Sequence, residues 1–230
     1  MRKVVVYGGT RNLYPMMETA LKSLLANNKG IDRVYFLIED DEFPTWLPAC
    51  VKCINVSGQT WFDKNGPNYR TQFTYMTLMR CALTLLLPEE EKVVWLDVDT
   101  IVDADISELF RVDMTDYCYG AALELAKSTE FFRYYNVGML LINLKKIREL
   151  CLDWQMINYL NKHRLQYPDQ DVINLMFQPW LLQISSAYNS TVFTQWVDVR
   201  RIVHYAGISK FDKFELWQIY ECVPWEAIET

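Results

Sequence analysis

Residues 4–7 read Val-Val-Val-Tyr and close on Gly8-Gly9. A short apolar run without alternation, bounded by glycines, suits a strand buried on both faces. Residues 14–28 follow with Met17, Leu21, Leu24 and Leu25 on one helical face, and Gly30 offers a stop. Val34–Ile38 is a second unbroken apolar run. Strand, helix and strand at this spacing predict a parallel pair joined by a right-handed crossover, and hence an α/β sheet flanked by helices.

Further along, the pattern predicts a short strand at 51–56, a helix over 69–87 that stops before Pro88, and a third buried strand at Val93–Leu96. A short helix is expected at 106–110, a strand at 119–123 and a further apolar run at 137–144. Ile147, Leu150, Cys151, Trp154 and Ile157 predict one amphipathic helix over 145–162. A helix at 169–177, opened by acidic residues, precedes a short strand at Ile202-Val203. The residues from Lys210 onward read as an aromatic tail. Without repeats or low-complexity linkers, the 230 residues read as one domain.

Composition narrows the function. Half the residues are apolar, which excludes a disordered chain. A net charge of −6 without like-charge blocks argues against nucleic acid or an anionic membrane as partner. Cys50 and Cys53 form a lone CxxC, with no second pair at similar spacing and neither histidine, His163 or His204, nearby in sequence, so a zinc site is not expected. The six cysteines are therefore expected as ordinary thiols in a reducing, cytoplasmic location. Met1-Arg2-Lys3 runs straight into the first strand, so no signal peptide is expected. No apolar run reaches the roughly 18 residues of a transmembrane helix.

The chemistry concentrates at Leu96-Asp97-Val98-Asp99. Residues two apart on a strand share a face, and two close carboxylates repel unless a cation or a proton lies between them. The pair stands at the end of a buried strand, where α/β sheets bind ligands. Mg²⁺ and Mn²⁺ favour such oxygen ligands and share them with substrate phosphates. A solvated turn, continued by Asp103 and Asp105, is the alternative. Haloacid-dehalogenase-type phosphatases also use paired aspartates, but they need Thr or Val one residue beyond the triplet and carry it near the domain start. Here Ile101 holds that place and the motif is mid-chain.

Four segments together resemble glycosyltransferase family 8, retaining enzymes of the GT-A fold that include glycogenin and lipopolysaccharide galactosyl- and glucosyltransferases. Asp97-Val98-Asp99 is similar to the family's DxD. Residues 135–143, YNVGMLLIN, are similar to its FNSGVMLIN segment, 168–174 to its DQDxxN segment and 204–210 to its HxxGxxK segment. The resemblance implies a GT-A nucleotide-diphospho-sugar transferase fold with a mostly parallel, Rossmann-like sheet. In it, residues 1–103 form the nucleotide-binding half, 104–210 the donor-sugar and acceptor half, and 211–230 a C-terminal tail. It implies Mn²⁺ or Mg²⁺ held by Asp97, Asp99 and His204, with Asp97 binding metal or ribose. Thr10 and Asn12 would meet uracil and ribose, Arg80 the nucleotide and sugar, and Val98 the nucleotide. Gly207 would let the backbone approach the diphosphate and Lys210 would neutralise it. Asn136 and Asp169 would face the donor sugar, Glu124 would take a sugar-contact role, and Gln170 would lie at the reactive face of the anomeric carbon. On their own, Thr10 and Asn12 also suit a helix cap, Arg80 a solvent-facing helix and His204 a hydrogen-bonded strand end.

The implied reaction moves a hexosyl unit with retention from a UDP-sugar, UDP-glucose or UDP-galactose favoured, to a carbohydrate, lipid-linked glycan or protein acceptor. The rivals are a phosphatase or nucleotide-sugar hydrolase built on Asp97 and Asp99, and a non-catalytic binding module. Trp61, Phe62, Tyr134, Tyr135, Trp217 and Trp225 could form a carbohydrate-stacking surface or belong to the core. A homo-oligomer is left open. Two departures from the family stand out: Phe211-Asp212 replaces Pro-Trp, and Val137 replaces a small residue beside the sugar. The long basic and aromatic tail of some members is also not expected here.

Overall fold

The computed structural model describes residues 2–195 and 197–228; Met1 and the last two residues of the expected 211–230 tail lie outside them. The elements are β1 (Val4–Gly8), α1 (Tyr14–Asn27), β2 (Arg33–Ile38), β3 (Val51–Asn55), a 3-10 helix (Tyr75–Ala82) running into α2 (Leu83–Leu86), β4 (Lys92–Leu96) and β5 (Thr100–Val102). There follow α3 (Ser107–Arg111), β6 (Tyr119–Leu123), β7 (Tyr135–Asn143), α4 (Leu144–Glu149), α5 (Leu152–Lys162), α6 (Pro168–Met176), β8 (Leu181–Ile184), β9 (Ile202–His204) and α7 (Glu215–Cys222).

A seven-stranded sheet in the order β3-β2-β1-β4-β7-β6-β8 forms the middle layer. Its interior strands are buried on both sides because alternate residues feed two cores, whereas the edge strand β3 is partly exposed. Val5 and Tyr7 of β1 pack with Met17, Leu21 and Leu24 of α1. Val4 and Val6 join Met79, Met156, Ile157 and Ile173 on the other face. The pairs β1–β2, β1–β4, β2–β3 and β6–β8 are parallel, whereas β7 runs antiparallel to both β4 and β6. The apolar run at 137–144 is thus an interior strand, β7, between β4 and β6. A second, two-stranded sheet pairs β5 with β9. Ile101, Val203, Tyr205, Trp217 and Tyr220 form a small core there.

Several expectations need correction. The helix expected over 69–87 is a 3-10 helix and one α-turn, beginning only at Tyr75. Asn68 donates to the carbonyls of Leu160 and His163, and the rings of Tyr69 and Tyr75 stack 4.9 Å apart, so tertiary contacts hold residues 68–74 in irregular backbone. The single helix over 145–162 is broken at Cys151, whose φ of 51° is left-handed. The break lets α5 start on its own anchor, where buried Asp153 accepts from the Thr84 hydroxyl at 2.9 Å. Residues 215–222 form a helix rather than a loose tail: α7 packs on α1, and Trp225 Nε1 donates to Glu18 at 3.1 Å.

Of the aromatics, Phe62, Tyr134, Tyr135 and Trp217 are buried, and Trp61 and Trp225 are half-buried against the core. They are core residues and do not form an exposed platform. Cys50 and Cys53 are half-buried thiols whose pKa values burial raises. Among the described residues, no helix is long and apolar enough to cross a membrane.

A non-glycine residue in the left-handed region costs about 1–2 kcal/mol, part of which glycine returns as unfolded-chain entropy. Cys151→Gly is therefore expected to stabilise the fold by about 0.5–1 kcal/mol. Urea unfolding midpoints would read this as a rise at unchanged slope.

Candidate active site

The parallel strands β1 and β4 end on one side of the sheet, and the carboxylates collect there. Strand β4 stops at Leu96, although Asp97 N–H still donates to the Gly138 carbonyl at 2.8 Å. The triplet 97–99 is therefore a turn between β4 and β5, not part of a strand. Thr100 Oγ1 closes it by donating to the Asp97 carbonyl at 2.7 Å. The two aspartates converge through this turn rather than through strand alternation.

Strand β5 then pairs with β9, setting Thr100 opposite His204. His204 Nε2 lies 3.3 Å from Asp99 Oδ1 and 3.9 Å from Asp97 Oδ2. One ligand atom from each of the three residues falls within 4.8 Å of the others, a grouping that could hold a metal ion. The imidazole occupies space that only glycine leaves free: a Cβ on Gly138 would stand 1.9 Å from His204 Cε1. Burial disfavours the imidazolium, but Asp99 and Asp97 outweigh it and raise the His204 pKa. Burial likewise opposes ionisation of Asp99, and His204 overcomes it, so the Asp99 pKa falls.

Arg80 lies beneath this group. It is 3% exposed, so the alternative of a solvent-facing helical arginine is set aside. Nη2 donates to Asp97 Oδ1 at 2.6 Å and Nη1 to the Val137 carbonyl at 2.6 Å. Nε stands 3.0 Å from Asp169 Oδ2, and the guanidinium lies 4.7 Å from the Trp95 ring centroid. Trp95 Nε1 also donates to Asp97 Oδ1 at 2.9 Å. Asp97 thus offers one oxygen to the protein and turns the other toward His204. Burial pushes the Asp169 pKa up, with Arg80 opposing.

Facing these charges is a wall of amides. Glu124 Oε2 accepts from Asn136 Nδ2 at 3.0 Å and Gln170 Nε2 at 3.1 Å, and Lys127 Nζ stands 3.1 Å from its other oxygen. Gln170 Oε1 accepts the Val137 N–H at 3.2 Å. Asp169 and Gln170 occupy the first turn of α6, after Pro168 at its first position.

These groups line one cavity of about 640 Å³, within the range that holds a drug-sized ligand. It gathers Arg80, Asp97, Val98, Asp99, Glu124, Asn136, Asp169, Gln170, His204 and Gly207. Thr10, Asn12 and Lys210 lie outside its lining. Thr10 donates to Asn12 Oδ1 at 2.6 Å, Asn12 is exposed, and Lys210 is exposed with a φ of 60° at the start of a 3-10 turn. Gly207, with φ 70°, uses the left-handed conformation that glycine permits. Motif reading missed Thr77, Lys127, Tyr167 and Phe193 in the lining, and Asn189 beside His204. A larger groove of about 800 Å³ at the opposite end of the sheet mixes lysine, arginine and glutamate and holds none of the expected residues.

The family model described as Glycosyl transferase family 8 matches residues 4–211. Glycosyltransferase GlyF of Streptococcus pneumoniae serotype 4 is 25% identical over 99% of this chain and 63% of its own length. The crystal structure of glycosyltransferase GlyE of S. pneumoniae superposes with a TM-score of 0.74 at 24% identity, covering 99% of this chain and 62% of that one. Galactosyltransferase LgtC, solved with donor and acceptor sugar analogs, gives a TM-score of 0.71 at 20% identity over 97% of this chain and 98% of that one. The GT-A glycosyltransferase fold is thereby shared. The chain spans less than two thirds of the length of the first two relatives.

Two results are expected. Gly138→Ala drives the imidazole from the carboxylates and weakens Mn²⁺ binding by about tenfold or more, measured by calorimetry. An ion held by Asp97, Asp99 and His204 would compete with a proton for His204 Nε2, and the imidazole pKa is raised. Mn²⁺ affinity should therefore fall as pH is lowered through that pKa, with a proton released on binding.

Proposed function

This chain belongs to glycosyl transferase family 8, and on that premise we propose that it transfers a hexosyl unit from a UDP-sugar to an acceptor with retention of anomeric configuration. The observation that carries this reading is the convergence of Asp97, Asp99 and His204 in one cavity with a wall of Asn136, Gln170 and Glu124. Two carboxylate oxygens and an imidazole nitrogen suit Mn²⁺, or Mg²⁺ with its preference for oxygen. Gly138 leaves the imidazole its space, so the donor set fits such an ion. When bound, the ion supplies positive charge against the diphosphate that leaves.

The chain's own residues divide the remaining work. Arg80 holds one oxygen of Asp97 in place. Gly207 would allow close backbone approach to the diphosphate, and exposed Lys210, three residues on, would neutralise it as a point charge. Thr10 and Asn12 follow β1 just outside the cavity lining and would meet uracil and ribose, with Val98 of the lining beside the nucleotide. In this reading residues 1–103 form the nucleotide half and 104–210 the donor and acceptor half. Asp169, Asn136 and Glu124 receive the donor hydroxyls.

Gln170 carries an amide, a poor nucleophile, so double displacement through it is disfavoured. We infer front-side attack: the bond from anomeric carbon to diphosphate oxygen breaks, a bond to the acceptor oxygen forms on the same face, and the acceptor proton passes to the departing oxygen. UDP-glucose and UDP-galactose are the favoured donors, and the acceptor is a carbohydrate, a lipid-linked glycan or a protein. The six cysteines are free thiols, which suits the reducing cytoplasm expected from the sequence.

A screen of UDP-sugars is expected to show Mn²⁺-dependent sugar release or transfer, lowered about 100-fold or more in Asp99→Ala. NMR should show the product anomer retained. Phosphate release without sugar cleavage would instead favour the phosphatase reading. Metal-linked UDP binding without turnover of any donor would favour a binding module.

A further inference from the structure

We propose that Asn189 is a positioning residue that fixes which nitrogen of His204 faces Asp97 and Asp99; the inference rests on the metal-dependent reading above. Asn189 belongs to none of the four motif segments and is fully buried after the 3-10 turn Ser186–Tyr188. Its backbone is pinned: its N–H donates to the Ser186 carbonyl at 3.1 Å and its carbonyl accepts from Thr194 Oγ1 at 2.8 Å.

The hydrogen-bond directions are set by groups that can act in only one way. The Glu124 carboxylate pairs with Lys127 Nζ at 3.1 Å and accepts from Asn136, so the atom of Asn136 facing it is the amide nitrogen, 3.0 Å away. Asn136 Oδ1 then points the other way, where it accepts the Gly138 backbone N–H at 3.1 Å. A backbone N–H can only donate, so two independent constraints orient Asn136 alike. Its Oδ1 also accepts from Asn189 Nδ2 at 2.9 Å. Asn189 must therefore turn its own Oδ1 to His204 Nδ1, 2.8 Å away.

An amide oxygen accepts and never donates, so Nδ1 carries the hydrogen. The neutral ring then has its lone pair on Nε2, the nitrogen that faces Asp99 at 3.3 Å. A ligating histidine commonly needs such a partner on its far nitrogen, and loss of one costs about 10–100-fold in metal affinity. The need is acute here. His204 is 5% exposed, which leaves little access for water to replace Asn189. Without Asn189 the ring is free to place its hydrogen on Nε2 and donate to Asp99, which removes the ligand lone pair. Glu124 and Asn136 of the sugar wall thus reach the ion side of the cavity through a chain of amides.

The test combines NMR with metal titration. His204 and His163 are the two histidines, so long-range ¹H–¹⁵N spectra of the metal-free protein at alkaline pH resolve both rings. His204 is expected as the Nδ1–H tautomer; an Nε2–H tautomer overturns the proposal without any substitution. Asn189→Leu should shift the ring toward Nε2–H and weaken Mn²⁺ binding in the presence of UDP by about 10–100-fold. Asn189→Asp, which keeps an acceptor toward Nδ1, should restore the tautomer and recover much of the affinity despite facing Asn136 Oδ1. Asp99→Ala separates the two readings. If it leaves Mn²⁺ binding intact, the metal site is wrong, while the tautomer still judges Asn189. If it abolishes binding but Asn189→Leu changes neither tautomer nor affinity, the Asn189 proposal alone falls.

Discussion

The buried guanidinium of Arg80 is the interaction on which the site depends. Asp97 and Asp169 come from different elements, and burial opposes charge on Asp169. Arg80 stands between them at 2.6 Å and 3.0 Å, with its third nitrogen on the Val137 carbonyl. It thereby joins the turn after β4, the first turn of α6 and strand β7 in one cluster. A buried cation so placed contributes little net stability, because its desolvation offsets most of the attraction. Its value is geometric: with Trp95 it claims one oxygen of Asp97 and leaves the other facing His204. Arg80 reaches inward from the 3-10 helix Tyr75–Ala82, and its Nε also donates to the Thr77 carbonyl at 3.2 Å.

The antiparallel strand β7 supplies the second constraint. It presents Asn136, the Val137 carbonyl and Gly138 within three residues, and each meets a different part of the cavity. At Gly138 the missing side chain is a packing demand rather than a turn, because the His204 ring fills that space. The small β5–β9 sheet then delivers the ring. Three residues per strand cannot stand alone, and the core of Ile101, Val203, Tyr205 and Trp217 holds the pair in place. The C-terminal helix α7 therefore acts on the site indirectly, by carrying Trp217.

Much of the fold was legible because burial on both faces leaves an unbroken apolar signal. The runs at 4–7, 34–38 and 93–96 became β1, β2 and β4 for that reason. The two-stranded sheet was legible only in part: Ile202-Val203 was read as a strand, but β5 was not, since three residues after a turn carry no periodicity. The break at Cys151 was hidden because Leu150 and Cys151 continue the helical pattern while the backbone turns left-handed. The paired aspartates were legible as chemistry, but their geometry was not: the strand rule placed both on one face, whereas a turn brings them together. His204 was visible through its motif. Asn189 was not, because an asparagine in a stretch such as Ser-Ala-Tyr-Asn-Ser reads as a turn residue until its partners are known.

The cavity's two walls differ in kind, and the difference bears on selectivity. One wall carries Arg80, Asp97, Asp99 and His204, whose interactions are strong and change with ionisation. The other carries Asn136 and Gln170, neutral amides whose orientations Glu124 holds. A sugar ring offers hydroxyls that donate and accept, and a site built to hydrogen-bond a hydroxyl rejects a ring that lacks it. Both Glu124 oxygens are already engaged by Asn136, Gln170 and Lys127, so a hydroxyl entering there must share these partners or displace one. Because Asn136 also leads through Asn189 to His204, a shift in the sugar wall reaches the imidazole. On the proposed reading, donor fit and the placement of His204 are parts of one hydrogen-bonded system.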